Sequence, residues 1–375
     1  MLSYWEKAYF LDYDFIIAGA GITGLSTALE IKEKFPHSSV LVIERGIMPT
    51  GASTKNAGFA CMGSVSELLA DLKNSSEDKV IELFKWRKEG LEILRKRLGD
   101  AQINYQQNGS YELISEKEMY CLDKIEYLNL LLKSVNNTTF KLSSKKAIDF
   151  GFSSSFKALI ENICEGELNS GKMMKSLINL CLQKGIEIKT GVEIISFTQL
   201  NNKVDVNVKS HSNELSFNTF NFILCTNAFT KSLFPQADVI PGRGQVIITK
   251  PLEHLKFKGI YHFDEGYYYF RVINDRILFG GGRNIDFETE ATTEFAITEK
   301  IQKNLEHIMQ NKILPSRTFE IEERWSGIMA FGEDKFPVIR PISSNVYGAF
   351  RFGGMGVALA SKTAKEVVKI ITEEK

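Results

Sequence analysis

An α/β fold in two connected domains is predicted: a parallel sheet flanked by helices, with an α+β domain built on an antiparallel sheet inserted into it. Three features of the residue order predict it. Within 14–44 an apolar run, a helical run and a second apolar run follow one another, the pattern of a βαβ unit. Between 172 and 225 a helix again gives way to strands, as a return to the same sheet requires. After Pro241 the segments turn β-rich, closely spaced and separated by turn residues, as antiparallel strands are.

Taken in order, 14–18 (DFIIA) reads as a buried strand, and 22–34 as a helix whose Ile22, Leu25, Ala28 and Leu29 share a face. Residues 40–44 (VLVIE) supply the next strand. Helices are predicted over 65–72 and 78–98, the second with Val80, Phe84, Leu91, Leu94 and Leu98 in one stripe that a core would cover. The helix over 172–184 carries Met173, Leu177 and Cys181 on one side and leads into the strand-like IEIKT, VEIISFTQ, NVKS and FNFILC. GQVIIT, GYYYFRV and DRILFGGG form the β-rich part. A glycine cluster then precedes a last helix over 357–372, lined by Val357, Ala360, Ala364, Val367 and Ile371.

The bulk numbers narrow the function. A length of 375 residues exceeds a typical single core. Lys plus Arg equals Asp plus Glu at 46 each, so there is no electrostatic footprint for nucleic acid or an anionic membrane. Cys61, Cys121, Cys164, Cys181 and Cys225 are odd in number and form no C-x-x-C pair, against both a disulfide framework and a zinc knuckle, and no metal is expected. The N-terminal MLSYWEKAYFLDYDF lacks the basic-then-apolar order of a signal peptide, and no stretch nears the ~20 apolar residues that cross a bilayer. A cytoplasmic protein is expected.

Gly19-Ala20-Gly21-Ile22-Thr23-Gly24 follows the first strand directly and opens the helix. In that context Gly19 turns the chain, Gly21 permits close approach of a pyrophosphate and Gly24 lets helix and strand pack tightly. The helix N-terminus offers the diphosphate free N–H groups and a positive dipole end. Glu44, twenty residues past Gly24, closes the second strand, where its carboxylate can accept from both ribose hydroxyls of an adenosine. An acidic residue there disfavours a 2′-phosphate and sets NADP aside, while FAD and NAD stay open. These features make the first domain Rossmann-type.

After Glu44 and Arg45 comes a small polar loop, Gly51-Ala52-Ser53-Thr54-Lys55-Asn56-Ala57-Gly58-Phe59. Here the chain resembles the D-amino-acid-oxidase superfamily, which includes glycine oxidase, sarcosine oxidase and γ-glutamylputrescine oxidase and carries a G-A-S-x-x-N-x-G loop beside its flavin. The resemblance runs over nearly the whole chain, through EGELNSGKMMKSL, Cys225-Thr226-Asn227-Ala228, Pro241-Gly-Arg-Gly-Gln245, Arg324-Trp325-Ser326-Gly327 and Gly353-Gly354-Met355-Gly356-Val357-Ala358-Leu359. It implies a Rossmann-type FAD-binding domain made of 1–90, 150–235 and 320–375, and a substrate domain made of 91–149 and 236–319. It also implies that Val192 meets the adenine through its backbone and that Thr226 and Asn227 lie near the adenosine diphosphate. Charge considerations add that a reduced flavin carries negative charge over N1 and the C2 carbonyl. The glycine-lined helix start at Gly354, Met355, Gly356 and Val357 would supply backbone donors there.

Departures from the family pattern bear on the substrate. Covalent members attach the flavin through a cysteine seven residues before an aspartate; Gly327 holds that place before Asp334, so the resemblance implies non-covalent FAD. Glycine oxidase clamps its substrate carboxylate with an arginine where this chain has Met329, and sarcosine oxidase uses a lysine where it has Ala358. The G-x-G-V-A-L and R-W-S-G-I-M runs are most similar to the γ-glutamylputrescine oxidase branch. The expected substrate is therefore a small-molecule amine or polyamine conjugate, oxidised by hydride transfer to the flavin, with oxygen or another acceptor completing the turnover. An amino- or imino-acid oxidase, or a flavoprotein subunit with little activity alone, is the alternative, and Arg271, Arg283 or Arg324 could then clamp a carboxylate. Strand alternation puts Tyr267, Tyr269 and Arg271 on one face, and Trp325 and Met329 are candidate apolar walls. None of the five histidines forms a recognisable catalytic motif, so desolvation is expected to favour the neutral amine. Where a family lysine assists oxygen reduction this chain has Leu278, which leaves oxidase and dehydrogenase chemistry both open.

Overall fold

A computed structural model describes residues 1–374. Strand Asp12–Ala18 lies at the middle of the first, eight-stranded sheet, between Val40–Glu44 and Asn213–Leu224. Glu187–Thr190 lies beyond the former and Val346–Phe350 beyond the latter, all of them parallel. Ile16, Ile17, Leu41 and Val42 are fully covered. Consecutive apolar residues are buried in this way only where a strand is sheltered on both faces, hence the unbroken apolar runs in the sequence. Val338–Ser343 closes one edge antiparallel, and Glu193–Gln199 and Val204–Ser210 hang antiparallel from the early part of Asn213–Leu224.

The helix Ile22–Lys34 begins where the glycine fingerprint does, and the last helix, Gly356–Glu373, packs between it and Glu77–Leu98. Gly90 permits that approach, since a Cβ there would collide with the Ala358 carbonyl. The stripe Val80, Phe84, Leu91, Leu94 and Leu98 is buried. The two ends of the chain thus lie side by side on one face of the sheet.

The second sheet also has eight strands, in the order Ile321–Phe331, Ile240–Thr249, Arg276–Gly281, Tyr268–Ile273, Ile260–Phe263, Ser110–Ser115, Phe156–Asn162 and Phe140–Leu142. It is antiparallel except where Ile260–Phe263 runs parallel to Ser110–Ser115. Phe156–Asn162 and Ile321–Phe331 lie in stretches that the sequence reading assigns to the first domain, yet they hydrogen-bond in this sheet. Periodicity identifies a strand but not its neighbours. One face of the sheet packs on an aromatic core, with Tyr261 stacked on Phe270 at 4.9 Å and Phe152 edge-on to Phe257 at 4.7 Å. Among the described residues no helix is long and apolar enough to cross a membrane, and no cluster of His, Cys, Asp and Glu could hold a metal ion. All five cysteines are free.

Candidate functional site

One cavity of about 510 Å³ runs between the two sheets, within the range of ligand sites. Gly19, Gly21, Ile22 and Thr23 line it from one end of the chain, and Gly353 to Val357 from the other. Gly19 adopts φ +96°, and a Cβ on Gly24 would strike the Gly19 carbonyl, so this turn demands glycine at both places. At the other end Gly353 and Gly354 also have positive φ, +53° and +86°.

The N-caps of these two helices differ from those of several others in the fold. Ser64, Ser76 and Asn169 cap the helices that follow them with their side chains. Neither Ile22–Lys34 nor Gly356–Glu373 is capped by the side chain of its own N-cap residue, Gly21 or Met355, and both N-termini meet the cavity. Two positive dipole ends with backbone N–H groups therefore point at one space, one suited to a diphosphate and the other to an electron-rich ring. A dinucleotide carrying a flavin fits this donor set.

Glu44 is buried, its Oε2 accepting from the Ala20 amide (3.0 Å) and its Oε1 from the Gly46 amide (2.9 Å). One carboxylate so ties the fingerprint turn to the end of the second strand while lining the cavity. The Ile22 amide donates to Ser53 Oγ (2.9 Å), which joins the fingerprint to the 51–59 loop. Within that loop Asn56 is spent on its own backbone: Nδ2 donates to the Ala52 and Ser53 carbonyls, and Oδ1 accepts from the Gly58 amide and Ser170 Oγ. Thr54 donates to the Pro49 and Gly51 carbonyls.

Arg45, Gly51, Ala52, Ser53, Asn56, Ala57, Phe59, Val192, Thr226, Asn227 and Gly327 line the cavity; Ala20, Gly24, Thr54 and Gly58 stand behind its wall as supports. The Arg45 guanidinium lies 3.8 Å above the Phe229 ring. Asn227 is held at φ +49° and its Oδ1 accepts from the Arg351 amide.

Of the substrate-side candidates, Tyr267, Tyr269 and Met329 face the cavity and Arg271 and Trp325 do not. Strand alternation holds, but Arg271 is buried behind the loop. Its Nη1 donates to the carbonyls of Ala57 (3.2 Å), Gly58 (3.1 Å) and Leu168 (2.7 Å), and its Nε lies 3.4 Å from Glu167. Trp325 donates from Nε1 to the Lys55 carbonyl (3.0 Å). Both brace the 51–59 loop, because a buried donor takes the nearest carbonyl. Arg324 is engaged by Gln302 and Glu306. Only Arg283, of the three arginines considered as clamps, lines the cavity. Its guanidinium lies 4.7 Å from the Phe287 ring and 4.0 Å from the Phe331 ring and makes no hydrogen bond or ion pair among the described residues.

Met329 occupies the interior of the wall, its Sδ 3.5 Å from where a Cβ on Gly354 would stand. Tyr269 meets Phe59 edge-on at 5.7 Å, and burial pushes its phenol up to about 12. Sequence reasoning missed Cys61, Glu67 and His262, which also line the cavity. Cys61 Sγ lies 3.6 Å from Met355 Sδ, and burial pushes its thiol well up, with Glu165 and Glu67 adding to the effect. Burial works to raise the Glu67 carboxyl too, but the charges of His262 and Lys335 and the Ser64 amide outweigh it and hold that group low. The signal for His262 was its place in a short alternating strand with Tyr261 and Phe263.

Comparison with known proteins bears on this cavity. A family model described as DAO, FAD dependent oxidoreductase, matches residues 14–370. The probable oxidoreductase OrdL of Haemophilus influenzae is 22% identical over 366 residues, which cover 96% of this chain and 82% of that protein. The gamma-glutamylputrescine oxidoreductase of Escherichia coli is 22% identical over 377 residues, 96% of this chain and 83% of its own. In fold the chain is similar to L-proline dehydrogenase from P. horikoshii, with a TM-score of 0.78 at 17% identity over 97% of this chain and 94% of that one. Glycine oxidase from Geobacillus kaustophilus gives 0.78 at 18% identity, over 97% and 95%.

Proposed function

The chain belongs to the FAD dependent oxidoreductase family, and from that premise we propose that it oxidises a primary or secondary amine carried on a small conjugate, with FAD held non-covalently. FAD, when bound, supplies the acceptor for the hydride that leaves the carbon beside the nitrogen. The imine so formed hydrolyses to an aldehyde or ketone.

The observation that carries this reading is the character of the wall near Gly354. Met329 stands where glycine oxidase has its carboxylate clamp, packed toward Gly354 and Gly244. Tyr269, Phe59, Phe352 and Met355 continue that wall in apolar and neutral groups. An α-carboxylate laid against that wall would be desolvated by groups that carry no positive charge, which disfavours a simple amino acid. The same wall excludes water from the reacting carbon and lowers the cost of holding the amine neutral. The name of the Escherichia coli relative, gamma-glutamylputrescine oxidoreductase, points the same way.

Arg283 favours a second reading, an amino- or imino-acid oxidase, since its unpaired guanidinium is suited to a carboxylate. It serves a conjugate equally well if the anionic group lies away from the reacting amine. The test is an anaerobic panel of amines, amine conjugates and amino acids, read as bleaching of the flavin absorbance. Reduction by amines lacking an α-carboxylate is the expected result. Reduction by amino acids alone would favour the second reading, and no reduction by any amine would overturn the first.

A further inference from the structure

His262 sits on the strand Ile260–Phe263, in register with Glu112 on one neighbouring strand and Tyr269 on the other. Tyr261 and Phe263 turn into the aromatic core, so alternation turns His262 toward the cavity, which it lines. It is 6% exposed and makes no hydrogen bond among the described residues. Buried polar groups normally find a partner, and an imidazole left without one is costly to keep. Its open partner is whatever enters the cavity.

Three carboxylates surround it, each within its electrostatic reach. Glu112 accepts from the Val65 amide (3.0 Å), the Ser66 amide and Ser66 Oγ. Glu165 accepts from the Met62 (2.5 Å) and Gly63 (2.9 Å) amides and from Ser110 Oγ (2.6 Å). Glu67 accepts from the Ser64 amide through Oε2 (2.9 Å) and lines the cavity itself. Burial pushes Glu112 and Glu165 above the usual carboxylate range, with His262 beside them opposing the rise.

The facing cations are fewer. Arg87 donates from Nη1 to the Met62 carbonyl, and Lys335 is paired with Asp71. Cys61 and Tyr269, both pushed upward by burial, stay neutral. Glu265, at the exposed rim, adds a further acid. Acidic groups therefore outnumber cations around His262, an arrangement suited to receiving an ammonium group.

We propose that His262 accepts the proton that the substrate ammonium must lose, with Glu67, Glu112 and Glu165 stabilising the imidazolium so formed. The proposal rests on the reading of the substrate as an amine. One N–H bond of the ammonium breaks, its electron pair stays on nitrogen, and the proton binds the lone pair of the imidazole. Nothing is oxidised or reduced in this step. The freed nitrogen pair is what the adjacent carbon needs when its hydride departs.

The test measures anaerobic flavin reduction by an alkylamine between pH 6 and 10, in the wild type and in His262→Gln and His262→Asn. Flavin content and circular dichroism establish that the variants fold. At pH 7 both variants are expected to be ~100-fold slower, the low end of what a positioned base contributes. The gap is expected to close as the pH nears ~10, where free alkylammonium sheds its own proton. Equal rates, or a loss that does not change with pH, would overturn the proposal. A second readout is independent of turnover: with ¹⁵N-histidine labelling, an amine lacking an α-hydrogen should move the resonance missing from His262→Gln to its imidazolium position. A resonance that stays neutral on binding overturns the proposal too. If no amine bleaches the wild-type flavin, the amine reading itself has failed; bleaching without a change in the variants isolates the failure to His262.

Discussion

The two faces of strand Tyr268–Ile273 differ in what they leave unfinished. On one face Tyr268 and Phe270 pack with Tyr261, Phe263 and Phe279 in a core that is complete without any ligand. On the other, Tyr269 and its neighbour His262 face a cavity, and His262 has no hydrogen-bond partner among the described residues. Arg271 shares that second face, but its Nη1 is taken by three carbonyls and its guanidinium pairs with Glu167 behind the cavity wall. A polar side chain on the ligand side of a sheet therefore marks a ligand contact only where it opens onto the cavity and not onto the chain's own carbonyls.

The comparison can be broken in several places. Phe270→Ala, on the finished face, should cost ~3–5 kcal/mol in urea unfolding, while the folded fraction keeps its flavin spectrum. Arg271→Met should cost ~2–3 kcal/mol, because it strands the carbonyls of Ala57, Gly58 and Leu168 and the Glu167 carboxylate. FAD affinity should fall with it as the 51–59 loop loosens. If stability held and only carboxylate ligands bound more weakly, Arg271 would be a substrate clamp and the contrast would fail.

Gly280→Ala should cost ~1–3 kcal/mol, since its Cβ would stand 2.7 Å from the Tyr269 ring and push that ring into the cavity. Substrate dissociation constants should rise with little change in flavin content. Arg283→Gln should alter stability by less than ~1 kcal/mol, yet weaken binding of anion-bearing amines about tenfold and leave uncharged-tail amines unaffected.

The smallest expected effects are in pH dependence, and here two neighbouring acids should differ in sign. Glu67 titrates lower in the folded chain than its ordinary value, so its contribution is present above ~4.3 and is lost as the pH falls through the folded value. Glu112 titrates higher, so its contribution is present below ~4.3 and is lost as the pH rises through the folded value. Relative to the wild type, Glu67→Gln should lose stability on going from pH 3 to 6 and Glu112→Gln should gain it. Parallel slopes in urea midpoints would contradict the assignment.

The first domain was readable because its signals are local. The fingerprint turn, the Ile22–Lys34 helix and the Val40–Glu44 strand each follow from neighbouring residues, and the observed bounds match the expected ones. The region 100–165 was not readable in this way. Its strands, such as Ser110–Ser115, are short and pair with segments far along the chain, including the parallel pairing with Ile260–Phe263. For the site, glycines spoke through turns and close approaches that a side chain would block. Side chains did not: alternation placed Arg271 on the correct face, but the carbonyls that occupy it come from residues 57, 58 and 168. His262 was passed over because its three carboxylates come from three distant segments.

The most direct measurement is a crystal structure of the chain with FAD bound. The diphosphate should sit at the start of helix Ile22–Lys34, and the flavin ring should have its N1 and C2 carbonyl edge against the amides of Gly354 to Val357, with Tyr269 and His262 beyond it. A ring that lies away from the last helix, or a cavity that takes up only the adenosine half, would contradict the convergence of the two chain ends on one cofactor.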